Sequence, residues 1–293
     1  MPAPFLSVII PTYNRADKLD RCLRALQEQS LAPESFEVLV VDDGSNDATP
    51  ELLKEWSKKW PTLKVVHQKN SGQGIARNKA LKMAAGQIIL FIGDDIYGSP
   101  DFLLRHVEFH QKHPEKTFAC LGLTEWHGEV TPFMHWLTHG GPQFAYDHLR
   151  PAEEADFWYF YTSNLSLKRE CLEEESFDPS FKAYGWEDIE LGYRLFQNGL
   201  KLIYTPEALA YHDHPMEESS LKNRMIKVGR SAVLFQKKQP GLAVLPRGLK
   251  KIILSTLSSA PFIALSYLLK PLSPQPYWYL LSKRYFLRGI RSI

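Results

Sequence analysis

The sequence predicts an α/β fold: a mostly parallel central sheet with helices on both faces, followed by a C-terminal helical extension. Three features predict it. Short apolar runs alternate with amphipathic stretches through about residue 112, the rhythm of repeated βαβ units. Several runs stop abruptly in acidic or glycine-containing turns. A 44% hydrophobic share over 293 residues is enough to fill one large α/β core with an appendage.

Taken in order, Leu6 to Ile10 is a buried strand that stops at Pro11. Ala16 to Gln29 sets Leu19, Cys22, Leu23 and Leu26 at helical spacing. Glu37 to Val41 is a second buried strand, ending in Asp42-Asp43-Gly44-Ser45. Asn46 or Asp47 then caps a helix through Lys59. Leu63 to Val66 is a third strand, Gly74 to Ala85 a helix, and Gln87 to Ile92 a fourth strand that runs into Gly93-Asp94-Asp95. Another helix opens at Pro100 or Asp101 and continues to Lys112.

The second half is less regular. Thr124 to Asp156 is rich in His, Trp, Pro and Gly and reads as a long functional loop region. Phe157 to Leu167 is aromatic and strand-like. Glu187 to Asn198 is a helix closed by Gly199. Two short strands, 201–204 and 208–211, precede a helix from Glu218 to Lys237. The domain boundary is expected after residue 240: a catalytic domain over 1–240 and a helical extension over 241–293.

Composition narrows the function. A net charge of +2 disfavours nucleic acid as a partner. Cys22, Cys120 and Cys171 are odd in number and far apart, which fits a reducing compartment rather than a disulfide framework. The N-terminal apolar run lacks a basic flank and is too short for a signal peptide, so the expected location is the cytoplasm.

The tail changes character. Residues 252–269 are free of charge, but Pro261 interrupts them and several serines dilute them. Lys250, Lys251 and Lys270 flank the run, and Tyr277-Trp278-Tyr279 is followed by Lys283, Arg284, Arg288 and Arg291. Aromatic plus basic is the composition of a membrane interface. Attachment to the cytoplasmic membrane surface is the expectation. A packed soluble cap and a true span are the alternatives.

Three acidic pairs stand out. In open α/β sheets ligands bind beyond the carboxyl ends of the strands, where Asp42-Asp43 and Asp94-Asp95 fall. Adjacent carboxylates repel unless a cation or donor neutralises them, and oxygen ligands suit Mg²⁺ or Mn²⁺. Glu187-Asp188 opens a helix, where the dipole keeps a carboxylate ionised and able to serve as a general base. Each pair alone reads better as a turn or a cap. Gly72-Gln73-Gly74 is too weak a signal for a dinucleotide loop and reads as a tight helix start, with Arg77 facing an anionic ligand. His212 or His214 could complete a metal site with Asp95. His106, His110 and His113 share a helix and read as a solvated face. Trp186, beside Glu187, is the aromatic residue expected to stack on a sugar.

Order and spacing add what single motifs lack. Ser7 through Pro11-Thr12-Tyr13-Asn14-Arg15 resembles the opening of family 2 glycosyltransferases. So do Val40-Val41-Asp42-Asp43-Gly44-Ser45, Asn70-Ser71-Gly72 with Ala76-Arg77-Asn78, and Asn164 to Arg169. Phe91-Ile92-Gly93-Asp94-Asp95 resembles that family's DxD metal motif, and Gly185-Trp186-Glu187-Asp188 its acceptor-side ED motif. The resemblance covers roughly residues 5 to 235. It implies a GT-A fold, a nucleotide-diphospho-sugar donor, a divalent cation (Mn²⁺ or Mg²⁺) and an inverting transfer to a glycan or lipid-linked acceptor, in cell-surface polysaccharide or glycolipid synthesis. Carried over by position, Pro11, Thr12, Asn14, Asp42 and Asp43 would hold the nucleoside, with Arg77 nearby. Asp94 would touch the ribose or donor sugar, Asp95 and His212 would bind metal, Asp188 would be the base and Glu187 would place the acceptor. Gly93 stands where the first Asp of the metal motif is usual. Two other readings compete: a non-catalytic binding protein on the same fold, which would need no base at Asp188, and a nucleotidyltransferase, which would carry a Gly-rich basic loop where Pro11-Thr12-Tyr13-Asn14 stands.

Overall fold

The structure is a computed structural model that describes residues 5–182 and 184–292. By compactness the chain forms two units. The first takes residues up to 130, 144–182 and 188–214; the second takes 131–143, 183–187 and 215–293.

The first unit is built on one sheet. Its strands are β1 (Leu6–Thr12), β2 (Phe36–Asp42), β3 (Leu63–His67), β4 (Ile88–Ile92), β5 (Ile96–Gly98), β6 (Phe118–Trp126), β7 (Glu154–Ala155), β8 (Asn164–Lys168) and β9 (Lys201–His212). The helices are α1 (Ala16–Gln27), α2 (Thr49–Lys59), α3 (Gln73–Leu81) and α4 (Phe102–Lys112), then α6 (Glu187–Gln197); the short α5 (Pro132–Thr138) between them lies in the second unit. The strand order is β3-β2-β1-β4-β8-β6-β9-β5, with β7 also on β9.

The half β3-β2-β1-β4 is wholly parallel, as the alternation predicts. β1, β2 and β4 are buried on both faces, and period-two alternation divides their side chains between two cores. Val8, Ile10, Val38, Val40, Ile88, Leu90 and Ile92 face one core. Ile9, Leu39, Val41, Ile89 and Phe91 face the other. Beyond β4 the sheet is mixed rather than mostly parallel. β8 runs antiparallel to β4 and β6, β5 and β7 run antiparallel to β9, and only β6-β9 is parallel. The strands expected at 201–204 and 208–211 are one strand, β9, whose pairing with β6 shifts register between Gly122 and Thr124. Pro206 has no N–H to give the ladder, so an irregularity there is natural. Part of the expected loop at 124–156 is also ordered, as the end of β6, α5 and β7.

The histidines expected on a solvated face are corrected. His106 and His110 are buried against the sheet. His106 contacts Ser166 Oγ at 2.8 Å and Asn164 Oδ1 at 3.0 Å, and His110 contacts Ser166 Oγ at 2.9 Å. Burial pushes the His106 imidazole down to about 4 and that of His110 to about 3.

The second unit contains α5 and the C-terminal helices α7 (Leu221–Lys238), α8 (Gly248–Leu257), α9 (Ala260–Leu268) and α10 (Gln275–Arg291). Its compact boundary differs from the expected one at 240/241. The reason is helix packing. A Cβ on Gly229 of α7 would lie 2.3 Å from Phe286 O, and one on Gly289 of α10 would lie 2.3 Å from Ile226 O. Two glycines thus let the backbones of α7 and α10 touch, and α7 sides with the tail. Glu218 Oε2 accepts from Trp278 Nε1 and Lys270 Nζ, both at 2.7 Å. The uncharged run is broken into α8 and α9, bent by 52°, because Pro261 cannot continue the preceding helix. Among the described residues no single helix is long and apolar enough to cross a membrane.

Candidate active site

Strands β1, β2 and β4 are adjacent and parallel, so the turns after them share one edge of the sheet. Pro11 and Thr12 are the last residues of β1 and are buried. Asn14 follows with φ 53°, a left-handed value that Asn tolerates better than most residues. Its amide donates to Ser45 Oγ and its Oδ1 accepts the Asn46 amide, both at 2.8 Å. The turns after β1 and β2 are therefore laced together.

Asp42 and Asp43 are buried and busy. Asp42 Oδ1 accepts the Ser45 amide at 2.9 Å, and Oδ2 meets His67 Nδ1 at 2.9 Å. Asp43 Oδ1 accepts from Gln68 Nε2 and the Ser71 amide, and Oδ2 from the Gly72 amide, each at 2.8 Å. Asp43 thus clasps the loop that leads into α3. Gly44, at φ 82°, allows the close approach, since a Cβ there would lie 2.8 Å from the Asn70 amide.

Gly72 starts α3, which carries Arg77 into the interior over the Phe177 ring, 5.4 Å from its centroid. The next residue, Asn78, donates to Phe177 O at 2.7 Å and accepts the Phe177 amide at 2.9 Å. The backbone of Lys182 also lies against Gly72. The Arg77 charge bears on Asp188: burial raises the Asp188 carboxyl and Arg77 pulls it partly back. Asp188 Oδ1 accepts the Ile189 amide at 2.9 Å. Glu187 is buried and opens the same helix, although by compactness it falls in the second unit.

At the end of β4, Thr12 Oγ1 donates to Asp94 Oδ2 at 2.7 Å. Arg15 Nη1 bridges Asp94 Oδ1, at 3.3 Å, and Asp95 Oδ2. The same Asp95 oxygen faces His212 Nε2 at 3.3 Å and His214 Nδ1 at 3.6 Å. Burial and the Asp95 charge push the Asp94 carboxyl up to about 7. Burial would raise Asp95 as well, but the His212 hydrogen bond and the charges of His212 and Arg15 hold it below the usual carboxylate range. The neighbouring Asp213 is held by Lys18 at 2.9 Å, Arg21 at 3.0 Å and the Tyr97 hydroxyl at 2.5 Å.

The structure therefore brings Asp94, Asp95 and His212 together and sets Asp188 beside Arg77. Trp186, expected to stack on a sugar, is held by contacts within the protein. Its ring stacks on Phe235 at 5.2 Å and its Nε1 donates to Val228 O at 3.0 Å, so one ring face is already covered. Gly185 and Trp186 both take left-handed φ values, 94° and 74°, a strained pair of the kind found at functional sites. Arg15 and the Asp213 cluster carried no role in the sequence. The signal was the row Arg15, Lys18, Arg21 at three-residue steps, which puts three cations on one side of the α1 start.

As to a metal, among the described residues no group of three or more His, Cys, Asp or Glu side chains forms a ready cage. The donor set, one carboxylate oxygen with imidazoles beside it, fits an ion that takes its remaining ligands from substrate oxygens.

Comparison with known proteins identifies the family. A sequence model described as glycosyl transferase family 2 matches residues 7–174. Validoxylamine A glucosyltransferase of Streptomyces hygroscopicus subsp. limoneus is 30% identical over 268 residues, covering 82% of this chain and 58% of that protein. The chain spans about three fifths of the length of the curated validoxylamine A glucosyltransferases it matches. Among solved structures, the mannosyltransferase PcManGT from Pyrobaculum calidifontis, in complex with GDP-Man and Mn²⁺, gives a TM-score of 0.65 at 22% identity, covering 98% of this chain and 86% of that one. TarS 1–349 from S. aureus, in complex with UDP, gives 0.58 at 21% identity, covering 97% and 89%. Identities this low speak for the fold alone. The family match runs over more than half of the chain, and on it the protein belongs to glycosyl transferase family 2, with a GT-A fold.

Proposed function

We propose that the chain transfers a sugar from a nucleotide-diphospho-sugar to an acceptor hydroxyl by inverting displacement. The observation that carries this is Asp188: a carboxyl raised by burial, beside the Arg77 charge, at the start of a helix. A carboxylate shifted toward neutrality accepts a proton more effectively than an ordinary one. In the transfer the acceptor oxygen bonds to the anomeric carbon as the carbon–phosphate oxygen bond breaks. Asp188 takes the hydroxyl proton, and the nucleotide diphosphate leaves. Glu187 helps to place the acceptor.

On the donor side, Pro11, Thr12 and Asn14 line the nucleoside site with Asp42, while Asp43 orders the loop beneath it. Asp94 contacts the ribose or donor sugar. Asp95, with His212, would hold a divalent cation (Mn²⁺ or Mg²⁺), which supplies charge neutralisation for the leaving diphosphate. Asp188→Asn tests the reading. It is expected to lose transfer while nucleotide binding, measured by calorimetry, stays within about threefold of the parent. Transfer at the parent rate would refute the base assignment.

We also infer that 241–293 is a helical extension resting on the cytoplasmic face of a membrane, which suits a lipid-linked or glycan acceptor in polysaccharide or glycolipid synthesis. Leu249, Ile252, Leu265, Leu268 and Leu272 are all more than half exposed on α8, α9 and the turn that follows. Residues 241–293 hold eight basic side chains (Arg247, Lys250, Lys251, Lys270, Lys283, Arg284, Arg288, Arg291) and no Asp or Glu, which leaves 1–240 at −6 within the total of +2. Such an asymmetry favours an anionic surface. Flotation with vesicles containing anionic lipid should recover the parent, and replacing Ile252 and Leu268 by Gln should release it. Unchanged flotation of that variant would sink the membrane reading. Point changes are preferred to deletion because α10 packs on α7.

A further inference from the structure

We propose that Arg15 is a built-in counter-cation, which keeps a bare divalent ion out of the Asp94-Asp95 turn until a nucleotide diphosphate enters with it. This rests on reading that turn as the donor diphosphate site. The geometry is specific. Arg15 Nη1 stands on Asp95 Oδ2, the same oxygen that His212 and His214 approach. It also reaches Asp94 Oδ1. One guanidinium thus touches both buried carboxylates and occupies the place where an ion would have to sit.

Two features suit Arg15 to a reversible role. Its side chain is 36% exposed, so its outer side opens to water. A guanidinium also matches a diphosphate bidentately, as well as it matches a carboxylate. An arriving nucleotide diphosphate offers Arg15 a second anionic partner and at the same moment offers the ion its missing oxygens. A bare ion offers neither, and meets a fixed positive charge at its only carboxylate ligand. The rest of the basic row keeps the cradle in shape. Lys18 and Arg21 hold Asp213, whose amide donates to Asp95 O at 2.8 Å, and Asp213 lies between the two histidines in sequence. Gly93 fits the same scheme. With no third carboxylate in the turn, a single guanidinium reaches every carboxylate it holds.

The test is Mn²⁺ binding, followed by the electron paramagnetic resonance signal of the free ion, on the full chain as parent, Arg15→Gln and Arg15→Lys. Each is measured alone, with UDP and with GDP. The expected result is that the parent binds Mn²⁺ only with one of the nucleotides. Arg15→Gln should bind it without nucleotide at least about tenfold more tightly than the parent, and Arg15→Lys, which keeps the charge, should bind bare Mn²⁺ no better than the parent. A second change, Asp95→Asn on Arg15→Gln, should abolish the gained binding and so locate it. Thermal melting provides the folding control: Mn²⁺ alone should raise the Tm of Arg15→Gln and not that of the parent. If Arg15→Gln binds bare Mn²⁺ no better than the parent, while both bind it with nucleotide, the counter-cation role is overturned and the donor site stands. If the parent binds no Mn²⁺ with either nucleotide, the donor-site reading fails and the proposal falls with it.

Discussion

Two strand ends of the same parallel sheet carry adjacent aspartates, and the two are neutralised in opposite ways. After β2, Asp43 gives its oxygens to two backbone amides and one side-chain amide, in fixed directions. After β4, Asp94 and Asp95 are compensated largely by side chains: His212, His214 and Arg15 on Asp95, and Thr12 and Arg15 on Asp94, with Arg15 long and partly in water. Backbone amides cannot leave without unfolding the loop, whereas a guanidinium can swing away. The first pair therefore behaves as architecture, and the second is poised for exchange. Motifs that look alike on paper, two acids after a buried strand, differ in what compensates them.

The sharpest way to break this contrast is Asp43→Ala. It strands three donors, and hydrogen bonds to charged groups contribute more than neutral ones, so a loss of about 4 kcal/mol is expected in urea unfolding. A loss below about 1 kcal/mol would mean that the loop does not depend on Asp43.

Acid comes next, since it reaches a third treatment of charge in the same sheet, where charge is excluded altogether. His106 and His110 are neutral in the folded protein, with pKa values lowered to about 4 and about 3. The unfolded chain takes up protons below about 6.5. Unfolded molecules thus bind more protons as pH falls, and stability declines from about pH 6.5 toward 4, by on the order of 3 kcal/mol. Replacing both histidines by Gln should flatten that slope in a pH series of melts.

Gly44→Ala tests the close approach that Asp43 requires. Its left-handed φ and the 2.8 Å contact with the Asn70 amide predict a cost of about 2 kcal/mol. The smallest effect belongs to the other strand end. Asp94→Asn removes a carboxyl already pushed toward its neutral form, so stability should change by less than about 1 kcal/mol while donor affinity falls. A large stability loss there would erase the distinction between the two pairs.

What was legible in the sequence follows from range. The runs at 6–12, 36–42 and 88–92 show themselves because strands buried on both faces are apolar throughout, and the acids that end them stand out by contrast. The second half of the sheet hides because antiparallel partners such as β4 and β8 lie more than seventy residues apart and leave no local period. His106 and His110 were misplaced although they fall in line with Phe102, Leu103 and Val107 on the apolar stripe of α4. Polarity outweighed position. The packing of Trp186 was hidden because Phe235, which covers one face of its ring, is 49 residues away in sequence. The acid positions of the candidate site were visible, but their partners were not, since Arg15 and Asp95 are separated by 80 residues.

Asn78 has a consequence for how this chain can vary. Its side-chain amide gives and takes one hydrogen bond with the backbone of Phe177, as a neighbouring strand would. That single residue resets the register of the chain just before the stretch that leads to Asp188. Glu175 and Ser176, just upstream, are held in turn by Arg194 of the helix that carries Asp188. A length change on either side of Phe177 should therefore reach Asp188 through that helix.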